Sequence, residues 1–322
     1  MTPQMIAAAA QRLSGHIVQT PILNSPALDR LAGRRVFVKA ECLQHTGSFK
    51  YRGGRAAISA LSVENRRRGV LAMSSGNHAQ GVARAAQELD TPATIVMPSD
   101  APQVKIDGTR NYGAEVVFYD RATEDRATLS ADLAAARGLT IISPYDHPEV
   151  IAGQGTVGLE IAEFAKALGI TQCEVLVCCG GGGLAAGVAL ALEHHAPGLT
   201  VRPVEPEGFD DVARSLRSGK RERNASTTGS IADAILSPMP GEMTFPILHR
   251  LCGPGLTVTD QESLHAIAIA LAHLKLVLEP GGAAALAASL SCFDEINGDS
   301  VIVVATGGNL DLALLPQLQK HL

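Results

Sequence analysis

Short apolar runs rich in β-branched residues alternate along this chain with longer stretches of helical period. The runs Val36–Ala40, Val70–Ser74, Ala93–Met97, Glu115–Tyr119, Thr140–Ile142, Glu174–Cys179, Leu199–Val204 and Val301–Ala305 predict strands. Between them, Gly54–Leu61, His78–Glu88, Arg126–Arg137, Val157–Leu168, Leu184–His194 and Gln261–Leu276 predict helices, and Ala7–Leu13 predicts an opening helix. Strands that alternate with helices build βαβ units. The expected class is therefore α/β, with two open, mostly parallel sheets covered by helices on both faces. Pro203 cannot donate to a ladder, which makes its strand either the weakest of the set or an edge strand. One group of units runs from about Gly69 to Gly138, and the other from near Ser143 to the end. Lys220–Gly229 is polar and reads as a surface loop. Folds of this class bind ligands beyond the carboxyl ends of their strands, so the strand-to-helix junctions are the places to look for chemistry.

Composition narrows the picture. Of the 322 residues 46% are hydrophobic but only 3% aromatic, and Trp is absent, so the cores pack through aliphatic side chains and close backbone contacts. The net charge of −5 comes with no basic block, which argues against a nucleic-acid partner. Arg66-Arg67-Arg68 reads as a solvated helix end before a strand. Cys42, Cys173, Cys178, Cys179, Cys252 and Cys292 form no C-x-x-C pair and no zinc spacing, so reduced thiols and a cytoplasmic location are expected. No basic leader and no bilayer-length apolar stretch is present, so no membrane partner is expected.

Four junctions carry candidate chemistry. Gly180-Gly181-Gly182-Gly183 lies between a strand and a helix. Bare backbone N–H groups there, with the positive end of the helix dipole, make a cradle for a phosphate monoester. Its spelling is neither a dinucleotide fingerprint nor a P-loop. Lys50, in Thr46–Gly54, stands among small and aromatic residues at a helix start. Partial burial and nearby positive charge would keep its amine neutral enough to attack an aldehyde. Ser74-Ser75-Gly76-Asn77-His78 offers hydroxyls, an amide and helix N–H groups to a carboxylate, and reads equally as an N-cap. Thr306-Gly307-Gly308-Asn309 reads as a plain turn or a fourth site element.

These pieces occur together and in order. Thr20–Leu23, Gly47–Lys50 with Arg52-Gly53, Ser75–His78, Ile151–Thr156, Gly180–Gly183, Leu278-Glu279-Pro280 and Gly307–Asn309 resemble the serine/threonine dehydratase family, across Thr20 to Asp311. That family includes serine racemase and belongs to the tryptophan-synthase-β-like, fold type II enzymes that use pyridoxal 5'-phosphate (PLP). The resemblance implies that Lys50 bonds the cofactor aldehyde and moves protons at Cα. It implies that Phe49 packs on the pyridine ring and that Asn77 bonds the ring hydroxyl. Gly180, Gly181, Gly182, Gly183 and Leu184 would hold the phosphate, and Thr306 would stand beside the ring nitrogen. Ser74, Ser75, Gly76, Asn77 and His78 would bind the substrate carboxylate, with Ser75 also placed as a second acid/base. Glu205, the Phe209 carbonyl and Asp211 match the Mg²⁺ (or Ca²⁺ or Mn²⁺) site of metal-dependent members. The implied architecture is a large PLP-binding domain of residues 1–66 and 140–322, with a small βαβ domain of 67–139 inserted, assembled as a homodimer.

The implied reaction is PLP-dependent elimination from a small 3-hydroxy amino acid of the L-threonine or L-serine type, giving a 2-oxo acid and ammonia. Three departures border the implied pocket: Ala232-Asp233-Ala234, Pro240–Phe245 and Glu279-Pro280-Gly281-Gly282. They keep 3-hydroxyaspartate open as substrate, with Arg52, His45, His78 and His147 as candidate cations for its second carboxylate. Serine racemase activity and a non-catalytic PLP-binding module stay open as well. With the chain ending at Leu322, feedback control by isoleucine is not expected.

Overall fold

The computed structural model describes residues 2–101 and 103–321. The larger of its two sheets holds β1 (Ile22–Leu23), β2 (Arg35–Lys39), β7 (Cys173–Cys178), β8 (Leu199–Pro206), β9 (Leu256–Val258) and β10 (Ser300–Val304), in the order β1-β2-β10-β7-β8-β9. The smaller holds β3 (Val70–Met73), β4 (Ala93–Pro98), β5 (Glu115–Tyr119) and β6 (Thr140–Ile141), in the order β5-β4-β3-β6. Every pairing is parallel except β1 with β2.

Both faces of each sheet are covered, which is why the central strands read as unbroken apolar runs. Leu176, Cys178, Val301 and Val303 point into one core, under α12 (Asp260–Ile269) and α13 (Pro280–Ser291). Their neighbours Val175, Val177, Ile302 and Val304 point into the other, under α1 (Pro3–Leu13), α8 (Pro148–Ala167) and α9 (Gly183–His195). In the smaller sheet Val70, Ala72, Ile95 and Met97 face α5 (Asn77–Glu88), while Leu71 and Val96 face α7 (Arg126–Arg137).

The differences from expectation have physical causes. Helix α13 is apolar on nearly every side and buried from Pro280 to Ser289, so it shows no helical stripe. Helix α8 begins at Pro148 rather than at Val157, because its glycines weaken the pattern while permitting close crossings. A Cβ on Gly153 would lie 2.7 Å from the Arg52 carbonyl oxygen, and one on Gly158 would lie 2.8 Å from that of Val188. Pro203 lies in an inner strand, not an edge strand. The Val201 carbonyl and the Glu207 N–H both reach toward the β9 side, so Pro203 also faces that side, yet the β9 ladder starts only at Val204. Its missing donor therefore breaks no rung. Thr140 and Ile141 pair with β3, so the smaller sheet extends past the expected boundary at 139.

Helix α3 (Lys50–Ser59) lies at the seam between the two units, against α5 on one side and α8 on the other. No helix among the described residues is long and apolar enough to cross a membrane.

Candidate active site

Strands β7 and β10 are parallel neighbours, so the loops that leave their carboxyl ends emerge side by side. The Lys50 segment is fastened to the β10 loop. The Phe49 N–H donates to the Thr306 carbonyl at 3.1 Å, and the Gly308 N–H donates to the Gly47 carbonyl at 2.9 Å. Thr306 is buried there, beside the Cys178 thiol. Lys50 opens α3, its Nζ donates to the Pro144 carbonyl at 3.0 Å, and it lies 5.1 Å from the centre of the Phe49 ring. Burial lowers its amine to about 8. The expected positive neighbour is not the cause: the charge that opposes burial is the negative one of Glu279.

Gly180–Gly183 joins β7 to α9. Among the described residues, no acceptor takes the N–H of any of the four. Gly182 has φ 94°, a left-handed backbone that favours glycine. A Cβ on Gly181 would lie 2.3 Å from the Tyr145 ring. Leu184 is buried in the first turn of α9. Unengaged donors at a helix N-terminus, with no room for side chains, fit the phosphate of PLP.

The third junction faces these two from the end of β3. The Ser74 hydroxyl accepts from the Gly76 N–H at 3.2 Å, Ser75 and Gly76 are half-buried, and a Cβ on Gly76 would meet open space. Asn77 opens α5. Its amide donates to the Glu279 carboxylate and accepts from Asn309 Nδ2 at 2.7 Å, so here its partners are those two side chains. Asn309 also holds the Thr46 carbonyl at 2.9 Å, which makes the Thr306–Asn309 segment a hub rather than a plain turn. His78 departs from its expected use. Its Nε2 bonds the Ile142 carbonyl at 2.8 Å, and burial with the Lys50 charge lowers it to about 3. It is a neutral, enclosed ring, so only its backbone remains for a carboxylate.

Residues 13–307 match the family described as "Pyridoxal-phosphate dependent enzyme". The chain belongs to this family. It is 44% identical over 312 residues to the L-threo-3-hydroxyaspartate ammonia-lyase of Pseudomonas sp, covering 97% of this chain and 96% of that protein. The solved T.th. threonine deaminase superposes with a TM-score of 0.91 at 42% identity, over 97% of this chain and 99% of that one. The serine racemase of Dictyostelium discoideum superposes with a TM-score of 0.89 at 34% identity, over 97% and 99%. The protein is a fold type II PLP enzyme and a carbon–nitrogen lyase, as the motifs implied.

Around this PLP enzyme's site stand groups to which the motifs assigned no role. Glu279 occupies the N-cap position of α13 but makes no cap, and its carboxyl is pushed up to about 7 by burial. The sequence places it in a matching motif, Leu278-Glu279-Pro280, without pointing to this contact with Asn77. Tyr145, which packs on Gly181 and Gly183, gave no signal at all. Asp233 follows the segment's buried Ala232. That same segment continues into Ile235 and Ser237, which wall Gly180. Asp233 pairs at 3.0 Å with Lys105 from α6 (Gln103–Arg110), a helix of the smaller unit.

The expected cations and metal ligands fall in different places. Arg52 is fully buried and saturated by Glu41, Glu160 and Thr156, so it cannot serve a substrate. His45 packs edge-on against Tyr51, and His147 caps α8 through Val150 N–H. Glu205 accepts from the N–H groups of Val212 (2.9 Å) and Ala213 (2.7 Å), at the start of α10 (Asp211–Ser218). Asp211 Oδ1 accepts from Asn224 at 2.6 Å, while its buried Oδ2 has no partner. Phe209 is buried between them in sequence. Burial and the Asp211 charge push Glu205 well above the carboxylate range, and burial pushes Asp211 up to about 7. Two buried carboxylates and an orphaned oxygen fit a hard cation. Among the described residues, no cluster of three or more His, Cys, Asp or Glu side chains forms a metal site.

Proposed function

We propose that this enzyme is an ammonia-lyase that converts a small 3-hydroxy amino acid, of the L-threonine or L-serine type, to a 2-oxo acid and ammonia. One observation carries the reading. The buried Lys50 amine, lowered to about 8, is held by the Pro144 carbonyl of the loop whose Tyr145 packs on the bare N–H run Gly180–Gly183. PLP, when bound, supplies an electron sink for the bond broken at Cα. Gly180–Gly183 and Leu184 would hold its phosphate, Phe49, Asn77 and Thr306 its ring, and Lys50 its aldehyde. Ser74, Ser75, Gly76, Asn77 and the backbone of His78 would fix the substrate carboxylate, which sets the Cα–H bond for removal by Lys50. The β-hydroxyl leaves with a proton as water, and the released enamine tautomerises to an imine that water hydrolyses to the 2-oxo acid and ammonia. Ser75 stands as the second acid/base.

The reading extends to Mg²⁺, or Ca²⁺ or Mn²⁺, held by Glu205, the Phe209 carbonyl and Asp211. The orphaned Asp211 oxygen supports it. It also includes a small unit of about 67–142 that closes on the larger one, a homodimer, and a cytoplasmic setting in which six free thiols persist.

A second reading is favoured by Lys105. A dicarboxylic substrate needs a cation, and Lys105 meets Asp233 on the segment that walls the phosphate loop. Two relatives at 44% and 41% identity are named L-threo-3-hydroxyaspartate ammonia-lyases. The test is 2-oxo acid release from L-serine, L-threonine and the 3-hydroxyaspartate diastereomers. Oxaloacetate from one hydroxyaspartate diastereomer, with little pyruvate, selects the second reading. Inverted serine without 2-oxo acid marks a racemase, and no product from any of them overturns both readings.

A further inference from the structure

The proposed reaction gives the segment Pro240–Phe245 no role. It is nevertheless tied to the glycine loop. The Gly181 carbonyl accepts from the Gly241 N–H at 3.1 Å and from the hydroxyl of fully buried Thr244 at 2.6 Å. The segment is tied in turn to the loop after β6. The two oxygens of Asp146 accept from the N–H groups of Glu242 (3.0 Å) and Met243 (2.8 Å). That loop also supplies the Pro144 carbonyl that holds Lys50 and the Tyr145 ring on Gly181. A Cβ on Gly241 would lie 2.4 Å from Asp146 and 2.8 Å from Thr244 Oγ1, so the turn has no slack.

A trans peptide points its C=O and N–H in opposite directions. With the Gly181 carbonyl held toward Thr244, the Gly182 N–H of the same peptide is held away from it, on the open side of the loop. Glycine peptides rotate freely unless pinned, and two donors on one carbonyl pin this one. We propose that Thr244, anchored through Asp146, is a positioning residue that orients the Gly181–Gly182 peptide to donate to the cofactor phosphate.

The proposal rests on the glycine loop being the phosphate site, and the test separates the two. The full-length chain is freed of cofactor and titrated with PLP and with pyridoxal, which lacks the phosphate but keeps the aldehyde that Lys50 attacks. Thr244→Val should weaken PLP binding about tenfold and leave pyridoxal unchanged, the worth of one hydrogen bond to an oriented group. Thr244→Ser keeps the hydroxyl and should stay within about twofold of the parent. Asp146→Asn, a second variant should Thr244→Val not fold, should weaken PLP alone. Unchanged PLP affinity in Thr244→Val, or parallel loss of PLP and pyridoxal, overturns the proposal. A parent protein that binds PLP no better than pyridoxal overturns the loop assignment itself.

Discussion

The Nζ of Lys50 donates to the carbonyl oxygen of Pro144 at 3.0 Å, while Glu279 acts on it only through its charge. Burial lowers the amine to about 8, and Glu279 resists that shift. Only the neutral amine attacks an aldehyde, so cofactor loading should speed up with pH and level off above about pH 8. Glu279→Gln removes the opposing charge and should bring the plateau to lower pH. Stopped-flow absorbance of the lysine-bound cofactor measures this, and a loading rate still climbing steeply at about pH 10 would refute it. Lys50→Ala should lose the absorbance band and roughly 10²–10⁴-fold in turnover.

Beneath Lys50, Arg52 anchors the helix that presents it. Its guanidinium reaches Glu41 at 2.8 Å and Glu160 at 2.6 Å, and the Lys39 amine joins the cluster by pairing with Glu160 while also donating to the Thr20 carbonyl at 2.6 Å. Burial pushes the Glu41 carboxyl up, but the charges of Arg52 and Lys39 outweigh it and hold the group below its usual range. Arg52→Met strands carboxylates in a closed site and should cost about 3–5 kcal/mol in denaturant unfolding. Arg52→Lys should recover only part, because an ammonium cannot match both carboxylates with a planar fork.

Eight of the ten strands, the glycine loop and Lys50 were legible in the sequence, because short apolar runs and runs of glycine are local signals, whereas β1 and β9, of two and three residues, are too short to show a pattern. Contacts between distant segments were not. Glu279 meets Asn77, Asn309 meets Thr46, and Tyr145 covers Gly181 only after both sheets are assembled. Arg52 shows the converse. Its charge made it a candidate for a second substrate carboxylate, yet helix α3 carries it into a buried ionic cluster. His78 failed likewise as a cation, because burial keeps its ring neutral with Nε2 on the Ile142 carbonyl.

The Glu205–Asp211 pair predicts a pH-dependent response to cations. Folding raises Asp211 to about 7 and Glu205 well above its usual range, so the native state keeps protons that the unfolded chain releases above the ordinary carboxylate range. Without a cation, stability should therefore fall as pH rises from about 4 to 7. A divalent cation takes the place of those protons. Mg²⁺ should raise the melting temperature by roughly 2–4 °C at about pH 8, and by much less at about pH 5. Asp211→Asn should abolish the response. An equal shift at both pH values, or one that survives in that variant, would exclude this pair as the site.

Lys105 and Asp233 join the two units at 3.0 Å, and Glu279 feels both charges. If the pair only latched the cleft, Lys105→Met would impair every substrate alike. If Lys105 instead turns to a second substrate carboxylate, the loss is selective. The expected outcome is a fall of about tenfold or more in kcat/KM for 3-hydroxyaspartate, with L-serine changed less than about twofold, since one charge-assisted hydrogen bond separates the two substrates. Asp233→Asn should act in the opposite sense, freeing Lys105 and lowering KM for the dicarboxylate alone. Equal losses on both substrates in Lys105→Met would leave the pair as a latch, and 3-hydroxyaspartate specificity would have to rest on another cation.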